Sequence, residues 1–547
     1  MIFAEFHLRT MLNQLKESIQ GNEELLNHPF VQRLILIIEQ QAKKIEELEA
    51  EIRMLKEHPK KPDIKPSTLN KPQNQSSNKP GGTGNRHNGK QPKKPYLPID
   101  KEVKVKVQNV PANSIFKGYK KVIIQDLKIE RINTLYLLEM WRTPEGKYIY
   151  GQLPEGLRGT DFGVTLKSFI LYQYHQCHVT QPLLHEQLKE FGIDISTGQI
   201  NRILTENKES FHQEQTEILA AGLHESSYTQ TDDTGARHKG KNGYCTFIGN
   251  DFFSYFKSTE SKSRINFIAL LRGEHNDYHI NEDALCYMKE QGLGEKYMNC
   301  LSLSGIHILP DKSGWQAHLK ELNISSKHAI RIATEGALIA SSMAHGINRE
   351  MAIVSDDAGQ FNIFQHGLCW IHSERNLQKV HCYTDAHEKE KEAVLTQFWN
   401  LYQETKEYKT NHSEAKAAKI EAEFDVLCQF QTDWIPLEKA LTKLASNKGE
   451  LLLVLKRPEI PIHNNGSERD IREYVKRRKI SGSTRSEAGR KTRDAFTSLK
   501  KTCRKLKVSF WEFLKDRIAQ TNTISNLALL VKQNISNSLI PIAANSS

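Results

Sequence analysis

The stretch "SSYTQTDDTGARHKGKNGYCTFIGNDFFSYF", Ser226–Phe256, alternates before it turns. Tyr228, Gln230 and Asp232 fall on one face and Thr229 and Thr231 on the other, the period of two of a strand. Two more strand-like runs follow, "GYCTFIG" and "FFSYF", joined at Gly249-Asn250-Asp251. The expected local structure is an antiparallel meander with Asp232 on its first strand. "SKSRINFIALLRG" then has a helical pattern, as does the later "HAIRIATEGALIASSMAHG". The second of these leads into "REMAIVSDDAGQF", where the apolar run Met351-Ala352-Ile353-Val354 ends abruptly in Asp356 and Asp357. That is a buried strand with charge at its C-terminal end, the edge of an open α/β sheet where ligands sit. A further apolar strand, "GLCWIH", is expected after it.

A third acidic site lies in "PIHNNGSERDIREYVKRRKISGSTR". Asn464, Asn465 and Ser467 offer helix-start chemistry. Glu468 opens a helix that is densely basic, with Arg469, Arg472, Lys476, Arg477, Arg478 and Lys479. Three strands, a helix, a strand and a helix is the element order of an RNase-H-like core. Asp232, Asp356 and Glu468 occupy the places of its acidic residues: first strand, just after the fourth strand, and a late helix. Taken singly, each acid reads first as a turn or cap residue. Together they form a set of hard oxygen donors of the kind Mg²⁺ requires. Charge at the end of a buried strand is costly unless a cation pairs with it.

The bulk composition agrees with a polyanionic partner. The chain has 547 residues and a formal net charge of +11, with a pI near 9.0. Such an excess favours phosphates through counterion release. Eight cysteines are scattered with no CxxC pair, which points away from a disulfide scaffold and toward a reducing compartment. There is no signal-peptide layout and no run of 18 apolar residues, so a soluble intracellular protein with no membrane partner is expected.

Val31, Leu34, Ile38, Gln41, Ile45, Leu48, Ile52 and Leu55 follow heptad spacing, with Lys44 set to face Glu49 and Glu51 to face Lys56 of a parallel partner. A fragment spanning 1–58 is therefore expected to self-associate. Sedimentation as a monomer at roughly tens of micromolar removes that expectation. Pro59 to Pro95 carries nine Lys/Arg against one Asp among Pro, Gly and Asn, and should be a flexible tether. Runs such as "EVKVKVQNV" and "KVIIQDL" suggest a small strand-rich module from Tyr96 onward. In "QPLLHEQLKEFGIDISTGQINRILTE", one helix ends near Gly192 and another starts at Ser196. Ile200, Ile203 and Leu204 form the buried face of the second. Thr197, Gln199, Asn201 and Arg202 lie elsewhere around it, a helix-turn-helix spacing with those four as candidate DNA contacts.

These motifs together resemble the bacterial insertion-sequence transposases of the family numbered sixty-six. The carriers are Asp232-Asp233-Thr234, "SDDAGQF", "CWIHSERNL" and "NNGSERDIREYVKRRKISGS", with the heptad helix and "KPGGTGNRHNGKQP" near the start. The resemblance implies a DDE catalytic triad of Asp232, Asp356 and Glu468 on an RNase-H-like α/β core. Asp233 and Asp357 stand beside the triad. It implies two Mg²⁺ ions, with Mn²⁺ as a substitute, held by those three carboxylates. The implied partners are double-stranded DNA, both terminal inverted repeats and target, and helper proteins encoded by the same element. A homo-oligomer through 31–55 and a cytoplasmic, nucleoid-associated location go with it. Arg469, Arg472, Arg477, Arg478 and Lys479 would contact phosphates. Two departures are visible. Tyr96–Gly159 has no cysteine where the family commonly has a zinc finger, so no zinc is expected in 96–160. His463 stands where the family commonly has Asp.

The expected organisation is a coiled-coil region over 1–58, a basic linker over 59–97 and a small β-rich module over 98–160. A helix-turn-helix-like region over 161–222 follows. The catalytic domain spans 223–520, with a helical insertion at about 384–453, and a helical tail covers 521–547. Two other readings stay open: an RNase-H-fold nuclease without strand transfer, and a catalytically silent DNA-binding derivative. Cys369 and His372 do not complete a metal site, and core packing is the expected role of Cys369 and Trp370.

Overall fold

The computed structural model describes residues 97–539, apart from 155, 156, 158 and 160. The heptad over 31–55 and the basic tract over 59–95 lie outside these residues. The chain divides into two units between Lys121 and Val122. In the first, residues 97–121 form no helix or strand, and Val103, Val105 and Val107 are all exposed.

The second unit opens with an irregular stretch and one hairpin, β1 (Met140–Arg142) paired antiparallel with β2 (Tyr148–Tyr150). The β-rich module expected over 98–160 is therefore reduced to two short strands among the described residues. The reason is physical. Alternation marks a strand's two faces, but a strand persists only if its edge is paired and its apolar face covered. Here Ile124 is 87% exposed and Val105 80%, so nothing covers them.

Four helices follow: α1 (Val164–His175), α2 (Gln181–Glu190), α3 (Thr197–Thr205) and α4 (Glu209–Glu225). Gly192 ends α2 in the left-handed region at φ +74°, where a side chain is strained. Ser196 starts α3 with a reciprocal cap. Its Oγ accepts from the Gln199 N–H at 3.2 Å, and Gln199 Oε1 accepts from the Ser196 N–H at 2.8 Å.

The central sheet begins with β3 (Tyr228–Gly235), β4 (Tyr244–Gly249) and β5 (Ser254–Thr259), an antiparallel meander. A long crossover returns the chain through α5 (Arg264–Leu271), β6 (Tyr278–His279), α6 (Glu282–Glu290), α7 (Glu295–Leu303), β7 (Ile308–Leu309), α8 (Lys312–Glu321) and α9 (Lys327–Ala344). Then come β8 (Ala352–Ser355) and β9 (Gln365–Leu368). The sheet order is β5-β4-β3-β8-β9, with β8 parallel to both neighbours. The strand expected in "GLCWIH" stops at Leu368. The Cys369 N–H makes its bond to Ser355 O at 2.9 Å, and from Trp370 the chain is helical, α10 (Trp370–Gln378).

Helices α11 (Asp385–Tyr408), α12 (Glu414–Cys428), α13 (Ile435–Ser446), α14 (Lys448–Leu451) and α15 (Leu453–Lys456) occupy the stretch read as an insertion. The chain ends in α16 (Asn465–Ser481), α17 (Glu487–Lys505), α18 (Phe510–Ala519) and α19 (Leu527–Leu539).

Strand β8 separates two cores. Ile353 belongs to one, built with α1–α4, α9, α17 and α19, whereas Ala352 and Val354 belong to the other, built with α11–α15. Successive residues of a strand point to opposite faces, so a strand covered on both sides favours apolar residues throughout, which accounts for the run Met351–Val354. The buried Ser355 that ends β8 is satisfied by His366 Nε2 at 2.8 Å. The helices α1–α4 share the first core with the sheet, so the boundary expected near residue 222 is not a break in packing. Among the described residues no helix is long and apolar enough to cross a membrane.

Candidate active site

The register of β3 on β8 brings the first two acids together. Tyr228 lies beside Ala352, Thr229 beside Ile353 and Gln230 beside Val354. Extending this pairing by two residues sets Asp232 level with Asp356. Asp356 follows the last residue of β8, so the two acids meet where β8 ends beside the middle of β3. Their charges oppose each other. Burial pushes the Asp232 carboxyl up to about 7, and the negative charges of Asp356, Asp233 and Glu468 add to the rise. A 2.7 Å hydrogen bond from the Asp233 N–H works against it.

The neighbouring acids are already engaged. Asp233 accepts from Thr246 Oγ1 at 2.5 Å and from Gln360 Nε2 at 3.1 Å. Asp357 is exposed and ion-paired with Lys443 of α13. The sequence alone offered two carboxylates at each position. Asp233 and Asp357 are thus engaged by side chains of other elements, whereas Asp232 and Asp356 accept from local backbone N–H groups, those of Asp233 and Ala358.

Glu468 reaches the cluster from α16, whose start is stitched to β3. Asn464 does not cap the helix through its side chain. Its Nδ2 donates instead to Thr231 O at 2.8 Å, and its N–H points at Cys369 Sγ at 3.1 Å. Glu468 lies one helical turn after Asn464, on the same side of α16, and thus above the residue that follows Thr231. Arg375 of α10 donates to Glu468 Oε1 at 3.2 Å. His372 Nε2 stands 3.7 Å from the same oxygen, and Arg472 is 3.9 Å from the other. Cys369 and Trp370 are fully buried and belong to the core.

Gly466 is pressed against this arrangement. A Cβ there would lie 2.0 Å from Gln230 Oε1, and Gln230 Nε2 donates to His463 O at 2.9 Å. Gly466→Ala must displace Gln230. The helix-propensity gain of about 1 kcal/mol and the lost hydrogen bond of about 1 kcal/mol nearly cancel. The variant is expected to melt within a few degrees of the parent. If Asp232 and Glu468 act together, any cleavage rate should fall about 10- to 100-fold, because Glu468 shifts against Asp232. Parallel melting and single-turnover cleavage check this. A parental cleavage rate would remove the positioning role of Gln230.

Residues 345–492, from the end of α9 into α17, match the family model described as Transposase IS66 family. The chain belongs to the IS66 transposase family. The matched residues include Asp356 and Glu468 but stop short of Asp232 on the N-terminal side. The chain is also 38% identical over 317 residues to an uncharacterized protein, y4jO, of Sinorhizobium fredii (strain NBRC 101917 / NGR234). That alignment covers 57% of this chain and 99% of the relative.

For this IS66-family chain, the structure divides the expected DNA-facing residues. Arg469, Arg472 and Lys479 are exposed on α16. Arg477 is not: it is buried, donates to Tyr174 O at 2.9 Å and lies 3.8 Å over the Tyr174 ring. Arg478 is partly buried and bonded to Thr234 Oγ1 at 3.2 Å, holding the C-terminal end of β3. A helix of six basic residues cannot present them all outward, because a turn returns every 3.6 residues. On α3, Thr197, Asn201 and Arg202 are exposed, whereas the Gln199 side chain is used in the helix cap. A cleft of about 430 Å³ runs from Asn201 and Thr205 of α3 to Ser483, Arg485 and Arg493. Arg485, in the α16–α17 turn, carried no signal in the sequence beyond its charge.

Proposed function

We propose that this chain is a DDE transposase that hydrolyses a phosphodiester at its element's ends and directs the resulting 3′-OH onto target DNA. The observation that carries the reading is the parallel register that sets Asp232 level with Asp356, with the Glu468 charge felt at Asp232. The meander followed by parallel β8 and β9 supports an RNase-H-like core.

The three residues suit Mg²⁺. They are oxygen donors, and burial together with the neighbouring negative charges raises the Asp232 carboxyl, a setting in which a bound cation would favour the ionised form. Asp232, Asp356 and Glu468 would hold two Mg²⁺ ions, whose Lewis acidity would serve an attacking and a leaving oxygen. The protein's own groups do the rest. The Arg375 hydrogen bond orients the Glu468 carboxylate, and the Asn464 bond to Thr231 O fixes the height of α16 over β3. Exposed Arg469, Arg472 and Lys479 would seat the phosphate backbone, the term that dominates affinity and makes it salt-dependent. Thr197, Asn201 and Arg202, with Arg485 across the cleft, would hold the duplex farther from the reacting bond.

The test is incubation of the purified chain with duplexes ending in the terminal repeats of its own element, with Mg²⁺ or Mn²⁺. Cleavage followed by joined products is expected. Cleavage without joining would leave a nuclease. Binding with neither would leave a silent DNA-binding protein.

A further inference from the structure

A second cluster of ligating side chains lies away from the acidic triad, where the crossover enters β6 and where α9 ends. "EHNDYHI", Glu274–Ile280, alternates as a strand does. Tyr278 and Ile280 are buried, with Tyr278 stacked on Trp315 at 5.4 Å between centroids. Asp277 and His279 lie on either side of Tyr278, and His275 stands two residues before Asp277. His345, the C-cap of α9, meets them.

The Asp277 carboxylate collects an unusual number of partners. It accepts from Ser341 Oγ at 3.0 Å and is approached by His279 Nε2 at 2.6 Å. His345 Nε2 stands 3.0 and 2.9 Å from its two oxygens. His275 lies flat on His345, with ring centroids 3.4 Å apart and planes within 4°. One nitrogen of each of His275 and His345 and one oxygen of Asp277 lie within 4.8 Å of one another, and among the described residues only this group converges so closely. Neither ring nitrogen of His275 has a hydrogen-bond partner among the described residues. Asp277 is already satisfied by Ser341 and His279, so a purely structural hub accounts for two of the rings at most. The field favours a cation as well: α9 ends here, and a helix C-terminus carries partial negative charge. The cation facing the cluster, Arg272, is committed to Asp277 O at 2.6 Å and to the Tyr278 ring.

We infer that His275, Asp277 and His345 form a binding site for a transition-metal ion of the zinc class. Two imidazoles and a carboxylate are zinc donors, unlike the all-oxygen set of the triad. On binding, His345 shifts its ring proton from Nε2 to Nδ1 and presents Nε2 to the ion. His279 keeps its bond to the other Asp277 oxygen, the outer partner that orients a ligating carboxylate. His275 splays from the stack, a small movement for an exposed ring. The ion would tie the α5–β6 connection to the end of α9, the helix that leads into β8.

The test uses the full chain carrying Asp232→Asn, so that the acidic triad is impaired and catalysis plays no part in the readout. Zinc is titrated by calorimetry, and cobalt is followed by its visible absorption. One equivalent of zinc is expected to bind, with a cobalt spectrum typical of mixed nitrogen and oxygen ligands. His275→Ala should weaken zinc binding by at least about 100-fold, since outer partners alone are worth about 10- to 100-fold. The same substitution should shift melting in chelator by no more than a few degrees, because His275 is exposed and loses only its stacking on His345. Asp277→Asn should abolish binding. The inference is overturned if the parent takes up no zinc at tens of micromolar, or if His275→Ala and Asp277→Asn bind as the parent does. Neither result bears on the DNA chemistry proposed above.

Discussion

Glu468→Gln is expected to lower Mg²⁺-dependent strand cleavage by several orders of magnitude while element-end DNA still binds nearly as tightly as to the parent. The change keeps length and helix propensity but removes the charge proposed to help hold the metal. Losing metal-assisted charge stabilisation at a reacting oxygen costs roughly that much in rate. Exposed Arg469 and Arg472 remain, so phosphate contacts survive. The structure also chooses the control. Glu473 lies close in sequence but accepts from His178 at 2.7 Å and from the buried Lys500 at 2.6 Å. Its removal strands a buried cation and disturbs the fold. Glu459 is partly exposed and pairs with Arg457 at 2.6 Å, so Glu459→Gln should cleave as the parent does. Rapid cleavage by Glu468→Gln, with Glu459→Gln inactive, would remove Glu468 from the triad.

Trp370→Ala should destabilise the protein by about 3–5 kcal/mol, the scale for emptying a buried aromatic site. Trp370 is fully buried. It packs on Phe398, Tyr402 and Phe424 at centroid distances of 5.2, 6.1 and 6.1 Å. Its Nε1 also donates to Leu451 O at 2.9 Å, and stranding that carbonyl adds about 1 kcal/mol. Trp370→Phe keeps most of the ring and should lose less than half as much. Urea unfolding of both variants is the measurement. Because Trp370 opens the helix that carries Arg375, cleavage should fall with stability in the alanine variant. An alanine variant with parental stability and weakened DNA binding would make Trp370 a surface contact instead.

How much was legible in advance differs by residue. The meander of β3–β5 and the Gly192–Ser196 turn follow from local chemistry, a two-residue period and a reciprocal cap, which the neighbouring residues alone impose. The proposed set of Asp232, Asp356 and Glu468 rests on element order and resemblance. The choice of Asp232 over Asp233 rests on the motif, and the contacts of Thr246 and Gln360 with Asp233 agree with it. Arg477 was misread as a phosphate contact because a run of charges does not reveal which side of its helix is covered, and Tyr174 comes from a distant helix. The strand-rich module over 98–160 was misread because alternation says nothing about whether a second layer exists.

The sequence by itself determined where strands and helices begin, which strand must be buried on both sides, and which acids and bases are available. Those properties depend on periodicity and on a few neighbouring residues. Only the tertiary structure decided which acids share a site, because parallel register couples residues 124 positions apart, Gln230 with Val354. It also decided that His345 meets the 275–279 segment. That meeting depends on the packing of α9 against the crossover, and no local rule carries such information along the chain.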